Sequence, residues 1–371
     1  MKFRAILLSA LLALAAAKAE AQIACGATVT ADTTLAADMF CPSHAIAFTV
    51  KGPAKVDMAG HRLIGCAVDG IGIDVIGTGA TLKNGAVVDC DTGVRVRGTG
   101  KHRVENMVVL KAYYGYDVRS ADNTVVRTAA IGSGYIVSGE NGAADDNTLT
   151  DNVSVRGDWG FLIESNDGSY DRNISSHAGE IGFEVVGSWN SLRYNISRDS
   201  HFYGFGIDGA VNRFERNLSY GDEEGAFKMV NPTTSTGNRM LRNIAIGSAG
   251  YGFELGAGTV FMNNTAVDNG DQGIRANYPG TSIIESAAIG QSIGIFAKEK
   301  VLVRRSRALA NSAGIMAGSG TDVSITKNFA IGNNIDLVDN NNCAGHTWEG
   351  NIFSTANHPF GSFTILSLKL L

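Results

Sequence analysis

Proline is scarce in this 371-residue chain, with five against 46 glycines, and charged residues make up only 18% of it. Long apolar stripes at helical spacing are missing, which excludes a helical bundle or a helical-repeat array. No Pro/Ser-rich stretch or charge run marks a linker or a low-complexity tail. Beyond residue 17 no apolar run is long enough to span a bilayer. The formal net charge is −5, so no basic excess points to nucleic acid or a membrane surface as partner. What remains is a composition of many short strands and tight turns.

The first residues, MKFRAILLSALLALAAAKAEAQ, read as a secretory leader. Lys2 and Arg4 give the positive start, Ala5 to Ala17 the apolar run, and Ala19 and Ala21 the small residues before a cut at Gln22. A membrane anchor and a lipid-anchored Cys25 are the alternatives. Removing residues 1–21 takes away Lys2, Arg4, Lys18 and Glu20, a net +2, and leaves the mature chain at about −7. The expected location is secreted or periplasmic, and the expected state a monomer. Of the five cysteines, Cys25, Cys41, Cys66 and Cys90 lie early and Cys343 lies alone. Export favours disulfides, so Cys25–Cys41 and Cys66–Cys90 are the expected pairs, and the spacings are not those of a zinc site.

A four-residue pattern recurs: a glycine, an apolar residue, a variable one, an apolar one. It starts at Gly72, Gly93, Gly115, Gly134, Gly160, Gly182 and Gly204, continues with Ala226 in place of glycine, and resumes at Gly252, Gly273, Gly294 and Gly314 before Asn334 closes it. Most steps are 20–22 residues, with longer ones into Gly160 and Gly252. A dozen copies at a near-constant period predict a solenoid, and the period-two core predicts one strand per unit with one face buried. The expected fold is all-β: a right-handed parallel β-helix of about a dozen rungs over 71–339. Residues 22–70 are expected to form a disulfide-braced N-terminal cap, and 340–371 a C-terminal cap.

A second register runs through Asn152, Asn173, Asn195, Asn217, Asn243 and Asn264, eight or nine residues before the next strand. Thr128, Ser286, Ser306 and Asn328 hold similar places. Stacked amides can hydrogen-bond along a column and satisfy buried turn groups. The same residues make four glycosylation-like triplets, but a column needs this in-register spacing and a glycan site does not.

Within each strand the residue two places after the glycine points outward. That column runs Asp74, Arg95, Asp117, Ile136, Leu162, Glu184, Gly206, Lys228, Glu254, Arg275, Phe296, Met316, Asp336. The next outward position gives Arg97, Arg119, Glu164, Asp208 and Lys298. Lys228, in "AFKM", therefore stands on an outer face between Gly206 and Glu254. Trp159, His201, Tyr203, Tyr220 and Tyr251 fall near strand starts. A strip with charge and rings suits an extended carbohydrate, although an exposed Lys–Glu neighbour pair also fits a plain surface contact of little energetic weight.

The repeat resembles the right-handed parallel β-helix superfamily that includes pectate and other polysaccharide lyases. More narrowly, "GAFKMVNPTTSTGNRMLRNIAIGSAGYGFELGAGTVFMNNTAVDNG" is similar to the family 9 polysaccharide lyases, whose Gly-Phe-Lys-Leu strand is followed by an Asn-rich rung, a Gly-Phe strand and an Asn-Asn-Thr segment. The resemblance implies a secreted polyuronide lyase with Lys228 as the base, and an acidic polysaccharide as partner. Arg275, Tyr251 or Tyr203 would assist, and Glu184, His201, Tyr203, Asp208 and Glu254 would line the substrate strip. It also implies calcium, which that family holds on an Asp-Asp-Gly-aromatic-Asp strand. The matching rung here, Phe202 to Gly206, has no carboxylate, so Asp208, Asp222, Glu223 and Glu224 are the candidate oxygen ligands. Glu254 beside Lys228 would raise its pKa unless Arg275 engages Glu254.

Two other readings stay open. A glycosidase or epimerase on the same fold would use paired carboxylates, Glu184 with Asp208 or Glu223 with Glu254. A non-catalytic carbohydrate-binding or envelope protein would need only the strip.

Overall fold

The computed structural model describes residues 20–139 and 143–357, and these contain strands and turns but no helix. Fifteen strands, from Ala27–Val29 to Ile335–Asp339, stack in one sheet, each paired in parallel with the strand one coil later. A second sheet runs beside it in two columns; the coil holding Tyr203–Ile207 adds Arg213–Glu215 and Leu218–Tyr220 to it. The chain is thus the expected parallel β-helix, with more turns than the dozen glycine starts indicate.

The extra turns come from the two ends. Ala27–Val29 pairs with Ile46–Lys51, which pairs with Ile71–Ile76, so the segment read as a separate cap already winds with the solenoid. It escaped the pattern because Ala47 stands level with Gly72, with Phe48 and Val50 buried as the inward residues. Thr347–Glu349 and Ile352–Phe353 extend the second sheet at the other end. Both early disulfides form as expected, Cys25–Cys41 and Cys66–Cys90, and Cys343 is a free thiol. Most of the segment expected to be a leader, and the apolar finish, 358–371, lie outside the described residues.

Glycine starts the strands because the coil is narrow there. A Cβ on Gly204 would lie 1.9 Å from Ser219 Oγ across the interior. The next residue inward is large: Tyr116, Tyr135, Phe161, Phe183, Phe205, Phe227 and Phe253 stack ring on ring with centroids 4.5–4.9 Å apart. That is the strand spacing itself, so parallel in-register coils force like rings into offset contact.

The asparagine column is a hydrogen-bonded ladder. Asn173 N–H and Nδ2 donate to Asn195 Oδ1 at 2.9 and 3.1 Å, and the same pair of bonds joins Asn195 to Asn217 and Asn217 to Asn243. Each amide follows a residue at positive φ, as at Arg172, Tyr194, Arg216 and Arg242, so the left-handed residue turns the corner and the amide satisfies it. Two further ladders were not read from the sequence. One runs Asn190–Asn212–Asn238, each N–H donating to the next Oδ1 at 2.8 Å. The other runs Gln291–Asn311–Asn333–Asp336.

Three members of the outward column are corrected. Asp74 and Asp117 occupy their strand positions but are buried, because arginines fold over them. Arg95 grips Asp74 through Nε and Nη2 at 3.0 Å each, and Arg97 adds a contact of 2.7 Å. Asp336 is not on the column at all. Ala313 pairs with Ile335 and Met316 with Val338, a two-residue offset that puts Asp336 level with Gly314. There its carboxylate caps the last ladder and accepts from Ser354 and Thr355.

Candidate functional site

Strand Gly225–Met229 buries Phe227 and Met229 and turns Lys228 outward, as alternation requires. Its neighbours are fixed by pairing: Gly206 one coil before, Glu254 one after, then Arg275 and Phe296. Tyr203 and Tyr251 flank Gly225 in the same way. Gly225 is buried between the two tyrosines, where a Cβ would lie 3.3 Å from Tyr251 O and 3.6 Å from Tyr203 Cδ1, and Lys228 stands beside them.

Lys228 Nζ donates to Tyr203 Oη at 2.6 Å and lies 4.5 Å from the ring centroid. The geometry repeats two coils later, where Arg275 Nη1 donates to Tyr251 Oη and the guanidinium lies 4.8 Å from that ring. Asn277 holds the other side of the guanidinium, its Oδ1 accepting from Arg275 Nε at 2.6 Å and Nη2 at 3.1 Å in the amide orientation that satisfies both groups. Glu254 sits between the two cations and reaches Arg275 Nε only at 3.8 Å.

Partial burial works against the Lys228 charge, but the Tyr203 hydroxyl, Glu254 and Glu224 outweigh it and hold the pKa above its ordinary value. The effect expected of Glu254 is therefore present, and Arg275 does not cancel it. Tyr203 is itself raised, chiefly by burial and further by Glu224, with Lys228 opposing. Glu184, two coils before Lys228, is raised by burial and by the nearby charges of Glu180, Glu164 and Asp208, while the Trp159 side chain donates to it.

The four carboxylates proposed for calcium do not converge. Asp222 points inward to Ser219 Oγ and the Ser200 N–H, Glu223 pairs outside with His201 Nδ1 at 2.8 Å, and Asp208 accepts from Asn231 Nδ2 at 2.6 Å. Glu224 is the only one of the four that faces the Tyr203–Lys228 pair. Among the described residues no three His, Cys, Asp or Glu side chains gather as a metal site. These residues do not fit a calcium ion.

The fold thus brings together Tyr203, Lys228, Tyr251, Glu254 and Arg275, and sets Glu184 and Asp208 apart on the earlier coils. His201 stays on the rim with Glu223. One contributor was missed, Asn277, which lies just past the end of Gln272–Ala276 at the outward position after Arg275, four residues beyond Gly273. Glu224, expected as a calcium ligand, acts instead on the Tyr203–Lys228 pair.

No protein-family model matches the chain, and no curated protein matches it. Solved structures resemble it distantly. A mutant of the periplasmic alginate epimerase AlgG is 12% identical, TM-score 0.48, over 85% of this chain and 78% of that one. The A-module of the Azotobacter vinelandii mannuronan C-5 epimerase AlgE6 is 14% identical, TM-score 0.43, over 85% and 87%. The alginate lyase AlyF-OU02 is 12% identical, TM-score 0.48, over 87% and 81%.

Proposed function

We propose that the protein is an exported enzyme that acts on an acidic polysaccharide, cleaving a polyuronide by β-elimination on the strip around Lys228. The observation that carries this reading is the 2.6 Å contact between Lys228 Nζ and Tyr203 Oη on the open outer face. β-Elimination needs a base for the proton on C5, an acid for the oxygen leaving C4, and positive charge at the uronate carboxylate. In its neutral form Lys228 takes the C5 proton. The C4–O bond breaks, a C4–C5 double bond forms, and Tyr203 gives its proton to the departing oxygen. Lys228 then returns a proton to Tyr203 across their hydrogen bond, so the pair ends as it began. Arg275, held by Tyr251 and Asn277, supplies the positive charge. Two disulfides fit work in an oxidising compartment, secreted or periplasmic.

The test is incubation with a panel of polyuronides while following ultraviolet absorbance of unsaturated chain ends. Full activity in Lys228→Ala would sink the assignment. Glu184 supports a second reading, because burial and three acidic neighbours favour its protonated form, as a glycosidase acid requires. That chemistry gives new reducing ends without absorbance.

A further inference from the structure

Past Arg275 the outer face opens into a cleft of ≈ 370 Å³ lined by Arg275, Asn277, Tyr278, Phe296, Lys298 and Gly318 among others. That volume is at the small end of ligand sites. Phe296 is the feature without a structural explanation. It is on the outward column, paired between Arg275 and Met316, and its ring is only partly covered. An apolar ring turned to solvent adds nothing to the core, where Ile295 and Ala297 already fill the inward positions. Gly318 makes its placement possible: a Cβ there would lie 3.0 Å from Phe296 Cζ and 3.2 Å from Lys298 Cγ. Lys298 is exposed, and among the described residues no carboxylate lies within ion-pair distance of it. The cleft therefore offers a flat apolar face with two cations beside it, and Glu254 approaches Arg275 only to 3.8 Å.

We infer that this cleft binds a second acidic sugar ring of the same polymer, stacked on Phe296, with its carboxylate taken by Lys298 and Arg275 as the wall toward the reacting unit. The inference rests on the proposed function and extends it: Phe296 is three paired strands from Lys228, about 14 Å along the column. A pyranose has an apolar face of C–H groups that packs on an aromatic ring, and a uronate adds the single negative charge that the lysine lacks. A neutral sugar would use the ring and leave the lysine idle, so the site discriminates by charge.

The test uses the full mature chain carrying Lys228→Ala, so that substrate survives, and titrates it by calorimetry with hexamers and dimers of galacturonate, mannuronate and guluronate and with a neutral cellohexaose. Expected results are at least tenfold weaker hexamer binding for Phe296→Ala, a several-fold loss for Lys298→Gln that fades at high salt, and little change for dimers or cellohexaose. In the otherwise native enzyme, Phe296→Ala should raise KM for hexamers and spare kcat. Hexamer binding unchanged in both variants, with melting curves intact, overturns the subsite while leaving the Lys228 reading standing. Loss of binding in these variants, with no turnover of any polyuronide by the native protein, keeps the subsite and removes the catalytic reading. No uronate binding by any form overturns both.

Discussion

Lys228 and Tyr203 form one unit: the ammonium donates to the phenol at 2.6 Å and also lies 4.5 Å from the centre of its ring. The two side chains come from adjacent coils, so the solenoid's register, and no local motif, creates the pair. A lysine so held is a strong donor and, near neutral pH, a poor base.

That predicts an alkaline profile. The folded pKa of Lys228 is raised, so the stabilisation from its contacts is complete below the unfolded value of 10.5 and is lost as pH rises through the higher folded value. The neutral amine needed for proton abstraction appears over that same range, and elimination should speed up with pH until unfolding intervenes. Tyr203→Phe removes the leading contribution that raises Lys228, so its rate should fall while the rising limb moves to lower pH. Lys228→Ala should lose roughly 10²–10⁴-fold in kcat. A rate independent of pH from 6 to 10 would contradict the role of Lys228.

Asp222 gives a second pH dependence, in stability. It occupies the turn position that Asn269, Asn311 and Asn333 fill in later coils, accepting the Ser200 N–H at 3.0 Å as Asn311 accepts the Gln291 N–H at 2.9 Å. Burial raises its pKa to about 6 from 3.8, with the Ser219 and Ser200 contacts opposing. An acid with a raised folded pKa binds its proton more tightly when folded, so stability declines as pH rises from about 4 to 6 and stays lower above. Asp222→Asn should abolish that decline and gain up to about 3 kcal/mol at pH 7.5. Denaturation at pH 4.5 and 7.5 measures both effects; a variant less stable at pH 7.5 would show that the carboxylate is needed.

The solenoid was legible because it is periodic. Glycine, inward ring and asparagine each recur at coil spacing, and parallel pairing turns equal spacing into contact, as Phe205 on Phe227 shows. Features that break the period were hidden. Ala47 in a glycine place concealed an early coil, and a two-residue offset moved Asp336 from the surface to a ladder end. Asp74 has the sequence signature of an exposed residue and is buried only because Arg95 and Arg97, on the next coil, close over it. The proposed calcium ligands failed for a related reason: Asp222, Glu223 and Glu224 are consecutive, but turn geometry sends them inward, to the rim and to the strip.

The main asparagine ladder should be the most sensitive polar feature. Asn195 accepts from Asn173 N–H and Nδ2 and donates to Tyr170 O at 2.9 Å and Asn217 Oδ1 at 3.0 Å. Asn195→Leu leaves these partners buried and unpaired, each costing about 1–3 kcal/mol. The expected outcome is loss of several kcal/mol or failure to fold, whereas exposed Tyr194→Ala next to it should change stability little. Equal, small effects of the two substitutions on thermal melting would refute the ladder's importance.

The ring stack makes a comparable prediction that also reaches the site. Phe205 lies between Phe183 and Phe227 at 4.9 and 4.5 Å, and its neighbour in the strand, Gly206, borders Lys228. Phe205→Ala removes a fully buried ring and should cost about 3–5 kcal/mol. Because the coils contact only their neighbours, the loss should be local: amide exchange should accelerate in strands Phe183–Val185, Tyr203–Ile207 and Gly225–Met229, and remain slow near Ile315. The same loosening would let Tyr203 drift from Lys228, so polyuronide turnover should drop although neither residue is changed. Phe205→Leu, which keeps most of the buried volume, should recover much of the stability and rate. Uniform acceleration of exchange along the whole solenoid would show instead that the coils unfold as one unit.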